Sequence, residues 1–270
     1  MLLNRMMLSA AAGVVLGVWT VKGSSRTNSF MSCNGTQSAA LNAGGHVLLK
    51  TSQEYNGTSW SGVTDMTYGR RQHSNIGTQT AGLIAGGNDA NVTTPFIGCL
   101  EYNGTTWSGG GNLPVAMNGT AGAGTQTAGL LTVTTTSREY NGSSWATGGS
   151  TNSTHNSGAG DGSQTAAYII GNYTDWSSVT EEYNGTAWTT VNSCNVVRGG
   201  HGSAGVQTAG LIFGGDTTGT TDTLTTESYD GTDWSMRCLL NAGGYFESGC
   251  GASNNSCLKI GSSASEEYTE

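Results

Sequence analysis

Charge is scarce in this chain. Only 10% of the 270 residues are Asp, Glu, Lys or Arg, and proline occurs twice. No basic run exists, so the electrostatic footprint of a nucleic-acid binder is missing and no nucleic-acid partner is expected. Eighteen acids against ten bases leave a net charge of −8, which favours solubility and says little about fold. The six cysteines, Cys33, Cys99, Cys194, Cys238, Cys250 and Cys257, never form a Cys-x-x-Cys pair, which removes the usual zinc framework. Cys250 and Cys257 flank an expected turn and are spaced to pair across two strands; the plainer reading is that all six are small buried thiols. No apolar run has the length of a membrane span, because the apolar opening from Met1 to Val18 is short and is interrupted by Ser9 and Gly13. That opening has the character of a secretory signal. Cleavage after Ala10-Ala11-Ala12, however, leaves a very short apolar core, and later cleavage approaches Trp19. Residues 1–16 are therefore expected to be a retained attachment arm or short helix, and residues 17–270 a single domain.

What the chain has is repetition. Its 44 glycines, with abundant Ser, Thr and Asn, look like low complexity until the aromatics are placed. Glu-Tyr-Asn-Gly-x-x-Trp occurs at Glu54–Trp60, Glu101–Trp107, Glu139–Trp145 and Glu182–Trp188, with a variant at Ser228–Trp234. The sixth copy is split: Glu267-Tyr268 stands near one end without its Trp, and Trp19 near the other without its Glu-Tyr. The halves complete a repeat only if the ends meet, as they do in a β-propeller. Self-similarity at about 40–50 residues is the sequence sign of such blades.

From Trp19 to Gln37, Trp60 to Gln79, Trp107 to Gln126, Trp145 to Gln164 and Trp188 to Gln207 the separation is 18 or 19 residues, and Ser253-Asn254 follows Trp234 at the same place. Only the distance from Gln to the next Tyr varies, so insertions collect between the second and third strands of each blade. Each repeat reads as four short strands: one before the Gln, an apolar run such as Ala209–Phe213, one carrying Glu-Tyr, and one carrying Trp. Asn-Gly or Asp-Gly between the last two predicts a tight hairpin with positive φ at both turn residues. Glycine in the inner strands suits a crowded axis. The expected fold is all-β: six four-stranded antiparallel blades, closed by the strand around Trp19 lying beside the strand around Tyr268.

The pattern resembles the kelch family. The best match is Arg198-Gly199-Gly200-His201-Gly202-Ser203-Ala204, then Leu211-Ile212-Phe213-Gly214-Gly215, then Tyr229-Asp230 and Trp234; the diglycine returns at Gly44-Gly45 and Gly86-Gly87. Blade four keeps only Gly171, and blade three has no diglycine. The resemblance implies blades around a central channel. It implies no function, since propellers carry enzymes, adaptors and lectins alike.

Enzymatic chemistry finds little support. A galactose-oxidase-like copper site needs a histidine set, but His73 and His201 occupy equivalent repeat positions and read as structural, while His46 and His155 lie apart. Glycosidase work needs two unique carboxylates. Glu54, Glu101, Glu139 and Glu182 are repeated and so belong to the blades, and Asp65, Asp89, Asp161, Asp175, Asp216, Asp222 and Glu247 are scattered. Asp216 and Asp222 are spaced to help hold Ca²⁺, although solvated loop acids are commoner. The arginines are spread, unlike the cluster of a sialidase propeller. No enzyme, cofactor or metal is expected.

A binding surface remains. The second-to-third-strand loops and the linkers between blades emerge on one face, which collects the residues that break the repeat: Tyr68, Asn88, Asp89, Asn91, Phe96, Tyr173, Asp175, Trp176, Tyr245 and Phe246. Aromatics beside Asn and Asp suit stacking on sugars; the alternative is loops folded back on their own blades. Tyr-Asn-Gly-Thr-x-Trp and Gly-Thr-Gln-Thr-Ala-Gly-Leu also look like kelch-like repeats of marine bacteriophage structural proteins, and the apolar start is similar to the opening of phage tail and fibre proteins. The resemblance implies a virion structural protein (tail fibre, tail tip or decoration module), docked on other virion proteins by its arm and contacting a host glycan or receptor. The alternatives are a secreted, extracellular kelch-type lectin or adhesin and, from another class, an oxidase or glycosidase.

Overall fold

The computed structural model describes residues 17–23, 30–46, 49–89, 95–219, 221–244, 246–261 and 264–270. The arm expected at residues 1–16 lies outside them. Six four-stranded antiparallel sheets surround one axis. Blade 1 runs Ser32–Thr36, Ala39–Ala43, Ser52–Tyr55 and Trp60–Val63 from the axis outward, and the next four blades repeat it in chain order. Their inner strands are Ser74–Thr78, Ala121–Thr125, Ala159–Ser163 and Gly202–Val206. Blade 6 takes Ser248–Ser253, Ser256–Ile260 and Glu266–Thr269 from one end of the chain and its outer strand, Val18–Val21, from the other. Trp19 lies opposite Tyr268. The split repeat therefore closes the ring as expected, and no sheet edge is left open at the seam.

The repeated residues are the rivets between blades. The Gln of each inner hairpin reaches back to the preceding blade: Gln126 Nε2 donates to the Gly82 and Tyr102 carbonyls at 2.9 and 2.8 Å, and Gln79, Gln164 and Gln207 make the same pair of bonds one blade along. Asn254 does part of this in blade 6, donating to the Tyr229 carbonyl. Each tyrosine hydroxyl donates to the repeat glutamate of the preceding blade: Tyr55 to Glu267, Tyr102 to Glu54, Tyr140 to Glu101, Tyr183 to Glu139 and Tyr229 to Glu182. Ser228 stands where blade 5 would supply that glutamate, and Tyr268 turns instead to Glu270. Indole N–H groups donate likewise to hydroxyls one blade back, as Trp107 to Ser52, Trp188 to Ser137 and Trp234 to Thr180. In blade 2 that hydroxyl position is Cys99, and Trp145 donates to the Gly111 carbonyl. Every such tyrosine is buried and packs on its own blade's tryptophan with ring centroids 4.8–5.2 Å apart.

One local expectation is corrected and another extended. The Asn-Gly turns are four-residue loops, with Tyr55 paired to Trp60 across Asn56–Ser59. Gly57 has φ +87°, whereas Asn56 is not left-handed; its carboxamide instead accepts from the Thr58 and Ser59 amides. The asparagine is a side-chain cap, an Asx turn rather than half of a two-residue hairpin. In the inner strands, backbone geometry joins crowding as a reason for glycine. Gly35, Gly77, Gly124, Gly162 and Gly205 have φ between +99° and +121°. A Cβ there would sit 2.2–2.4 Å from the carbonyl oxygen opposite, across the same hairpin.

Candidate functional site: the channel mouth

The inner strands enclose a cavity of about 280 Å³ along the axis. On the face of the second-to-third-strand loops its mouth is ringed by one residue from each blade, two positions before each inner strand: Phe30, Gln72, Gly119, Ser157, Gly200 and Phe246. All six are left-handed, with φ between +48° and +63°. For a side-chain-bearing residue this costs on the order of 1 kcal/mol. Hydrogen bonds round the ring offset it. The amide of Gly119 donates to the Gln72 carbonyl, Ser157 to Gly119, Gly200 to Ser157, Phe246 to Gly200 and Phe30 to Phe246, at 2.6–3.3 Å. The mouth is thus a backbone crown whose side chains vary freely.

Those side chains make it lopsided. Phe30 and Phe246 stack with centroids 3.9 Å apart. His46, exposed, stacks on Phe30 at 5.7 Å, and the Arg71 guanidinium lies over the same ring. Tyr173 packs on Phe246 at 4.8 Å, and Trp176 lies 6.2 Å beyond Tyr173. The result is one run of ring contacts, His46–Phe30–Phe246–Tyr173–Trp176, of which Phe30 and Phe246 line the mouth. Gly199 and Gly200 make room for it: a Cβ on Gly199 would fall 2.3 Å from Tyr173 Cα, and one on Gly200 3.2 Å from the Phe246 amide. Trp176 is left-handed and rests against Gly219 of the neighbouring loop.

The expected site residues divide. Tyr173, Trp176 and Phe246 come together in the row, and Asp175 is exposed at the tip of the same loop. Tyr68 and Phe96 form a separate pair, 5.9 Å apart, with Arg70 stacked over Phe96. Asn88 is corrected from loop ligand to support. It is 4% exposed, donates to the Gln72 carboxamide at 2.8 Å and accepts from Asn118. Asp89 pairs through its backbone with Arg70. Tyr245 and Asn91 lie outside the described residues. Sequence reasoning missed Phe30, whose signal was its constant offset from the inner strand, and His46, which no repeat marks.

Beneath the crown the charged groups are buried and partnered. Burial lowers His73 to about 3 and, in the same way, lowers His201, with Arg70 and Arg198 adding repulsion; both imidazoles are neutral packing groups, as their repeat positions imply. Glu181, Glu227 and Glu266, each two residues before a repeat tyrosine, clamp the incoming linker through Asn152, Asn195 and Asn241. Burial pushes Glu181 up, but bonds from His155, Asn152 and Ser153 outweigh it and hold it below the usual carboxylate range. Arg198 pairs with Glu227 at 2.6 Å, and Lys259 with Glu247 and Glu266. The sequence signal for these clamps was Glu-x-Tyr at 181, 227 and 266. Two carboxyls line the channel. Burial raises Glu247 to about 8 against the pull of Lys259, and raises Asp161 to about 7 against the Gly162 and Gly205 amides. Asp216 accepts three amides of its own loop, from Thr218, Gly219 and Thr221. Among the described residues no three His, Cys, Asp or Glu side chains are grouped to hold a metal ion, and no helix is long and apolar enough to cross a membrane.

The fold is that of a β-propeller of known structure. The solved structure titled "Structure of YjhT" superposes with a TM-score of 0.75 at 10% identity, covering 93% of this chain and 95% of that one. At this identity the likeness shows architecture alone. No family model matches the sequence, and no curated protein does.

Proposed function

We propose that this propeller is a non-catalytic binding module that takes a glycan at its channel mouth, as a virion structural protein of a bacteriophage (tail fibre, tail tip or decoration module). The observation that carries the reading is the run of five rings that reaches the mouth at Phe30 and Phe246, on the face where the loops vary. Sugar rings present apolar C–H faces to aromatic planes and hydroxyls to nearby amides. Rigid aromatics give contact area at low entropic cost. Gln72, Ser157 and exposed Asp175 stand beside the row for the hydroxyls. Low charge, the phage-like repeats and an apolar arm support a place in the virion, where the arm would dock on another virion protein.

A glycan array probed with the full chain tests the binding. Retention of a defined glycan class is expected, and Tyr173→Ala should weaken it at least about tenfold, the loss of one stacking anchor, with the melting temperature kept. An array with no retained glycan, or an unchanged Tyr173→Ala, would sink the reading. Mass spectrometry of purified phage particles tests the virion assignment separately.

A further inference from the structure

The six inner strands meet at six junctions, where the third residue of one strand comes against the second of the next. Around the ring these positions hold Asn34 and Asn75, Ile76 and Gly122, Ala123 and Gly160, Asp161 and Ser203, Ala204 and Gly249, and Cys250 and Cys33. Contacts differ from junction to junction. Asn34 and Asn75 each donate to backbone carbonyls of the other's blade. A Cβ on Gly122 would strike Ile76. Ser203 donates to the Gly160 carbonyl. Cysteine meets cysteine at one junction only, and it is the seam where the last blade meets the first. There the two sulfurs oppose each other 2.6 Å apart, on side chains 6% and 3% exposed.

We propose that Cys33 and Cys250 form a disulfide that clasps blade 6 to blade 1 at the channel wall. The pairing of Cys250 with Cys257 is excluded by the register. Cys257 lies opposite Gly251 and packs in the Trp19–Tyr268 cluster, while Cys250 packs with Cys33 on the other face of the blade. The oxidant class is a small-molecule disulfide such as oxidised glutathione. The two cysteine thiols and one RSSR give the protein S–S bond and two RSH, the two electrons and two protons passing to RSSR. Burial pushes the Cys250 thiol well up, which starves exchange of thiolate in the closed ring. The bond therefore forms while the seam is open and resists reduction once it is shut. It ties residues 217 apart in sequence, so the clasp holds nearly the whole propeller in one covalent loop.

The test is thiol counting on the full chain refolded with oxidised glutathione, alkylated in denaturant without reductant, and digested. Four alkylated cysteines and a single crosslinked peptide joining Cys33 to Cys250 are expected. The melting temperature should fall by about 5–15 °C when the chain is instead refolded under reductant. The Cys33→Ser chain should lose both the crosslink and the dependence on reductant. Six alkylated cysteines after oxidation, or a crosslink that includes Cys257, would overturn the proposal. So would a crosslinked chain that melts no higher than the chain refolded under reductant.

Discussion

Asp161 shows what one residue does to the pH response. Its carboxyl is drawn between blades 4 and 5 and titrates at about 7. The unfolded chain gives up that proton near pH 4. Stability is therefore lost as pH rises from about 4 through about 7, and the loss is complete above that. Asp161→Asn should melt higher than the parent at pH 8 and close to it at pH 4, a difference that thermal melts across the range will read. None of this was visible in the sequence, where Asp161 was one of several scattered acids. The roles of Asn88 and Phe30 were hidden for the same reason. Exposure and contact across blades are set by the ring, and no local pattern reports them.

At the scale of the element, what repeats was legible and what varies was not. The Gln, Tyr and Trp of the repeat recur because they donate to the blade before, and the Glu because it accepts from the Tyr of the blade after, so their spacing is the spacing of an interface. Gln126→Ala removes two bonds to buried carbonyls of blade 2 and should cost about 1–3 kcal/mol in denaturant melts. Tyr140→Phe removes the bond to Glu101 between blades and should cost more than Tyr268→Phe, whose hydroxyl partner, Glu270, lies in the same strand region. The Asn-Gly turns were placed correctly but given the wrong geometry. The dipeptide signals a tight loop, and only the pairing of Tyr55 with Trp60 shows that four residues fill it. The candidate face was expected as one surface. Its division into an aromatic row at the mouth and a separate Tyr68–Phe96 pair followed from which loops lean inward, and that depends on glycines 199 and 200 one blade away.

For the whole molecule, the ring depends on its split blade. Removing residues 1–21 strips the outer strand from blade 6, bares the edge of Glu266–Thr269 and leaves the Tyr268 ring without the Trp19 indole. The melting temperature should fall by about 10 °C or more, with concentration-dependent association; a truncated chain that melts like the parent would remove the seam from the account. The split also orders events at the ribosome. Val18–Val21 is made about 250 residues before its partner strand, Glu266–Thr269, a delay on the order of tens of seconds at 5–20 residues per second. Five sectors can assemble in turn while the opening strand waits unpaired, so translation speed, and whatever shields that strand meanwhile, governs how many chains finish as closed rings.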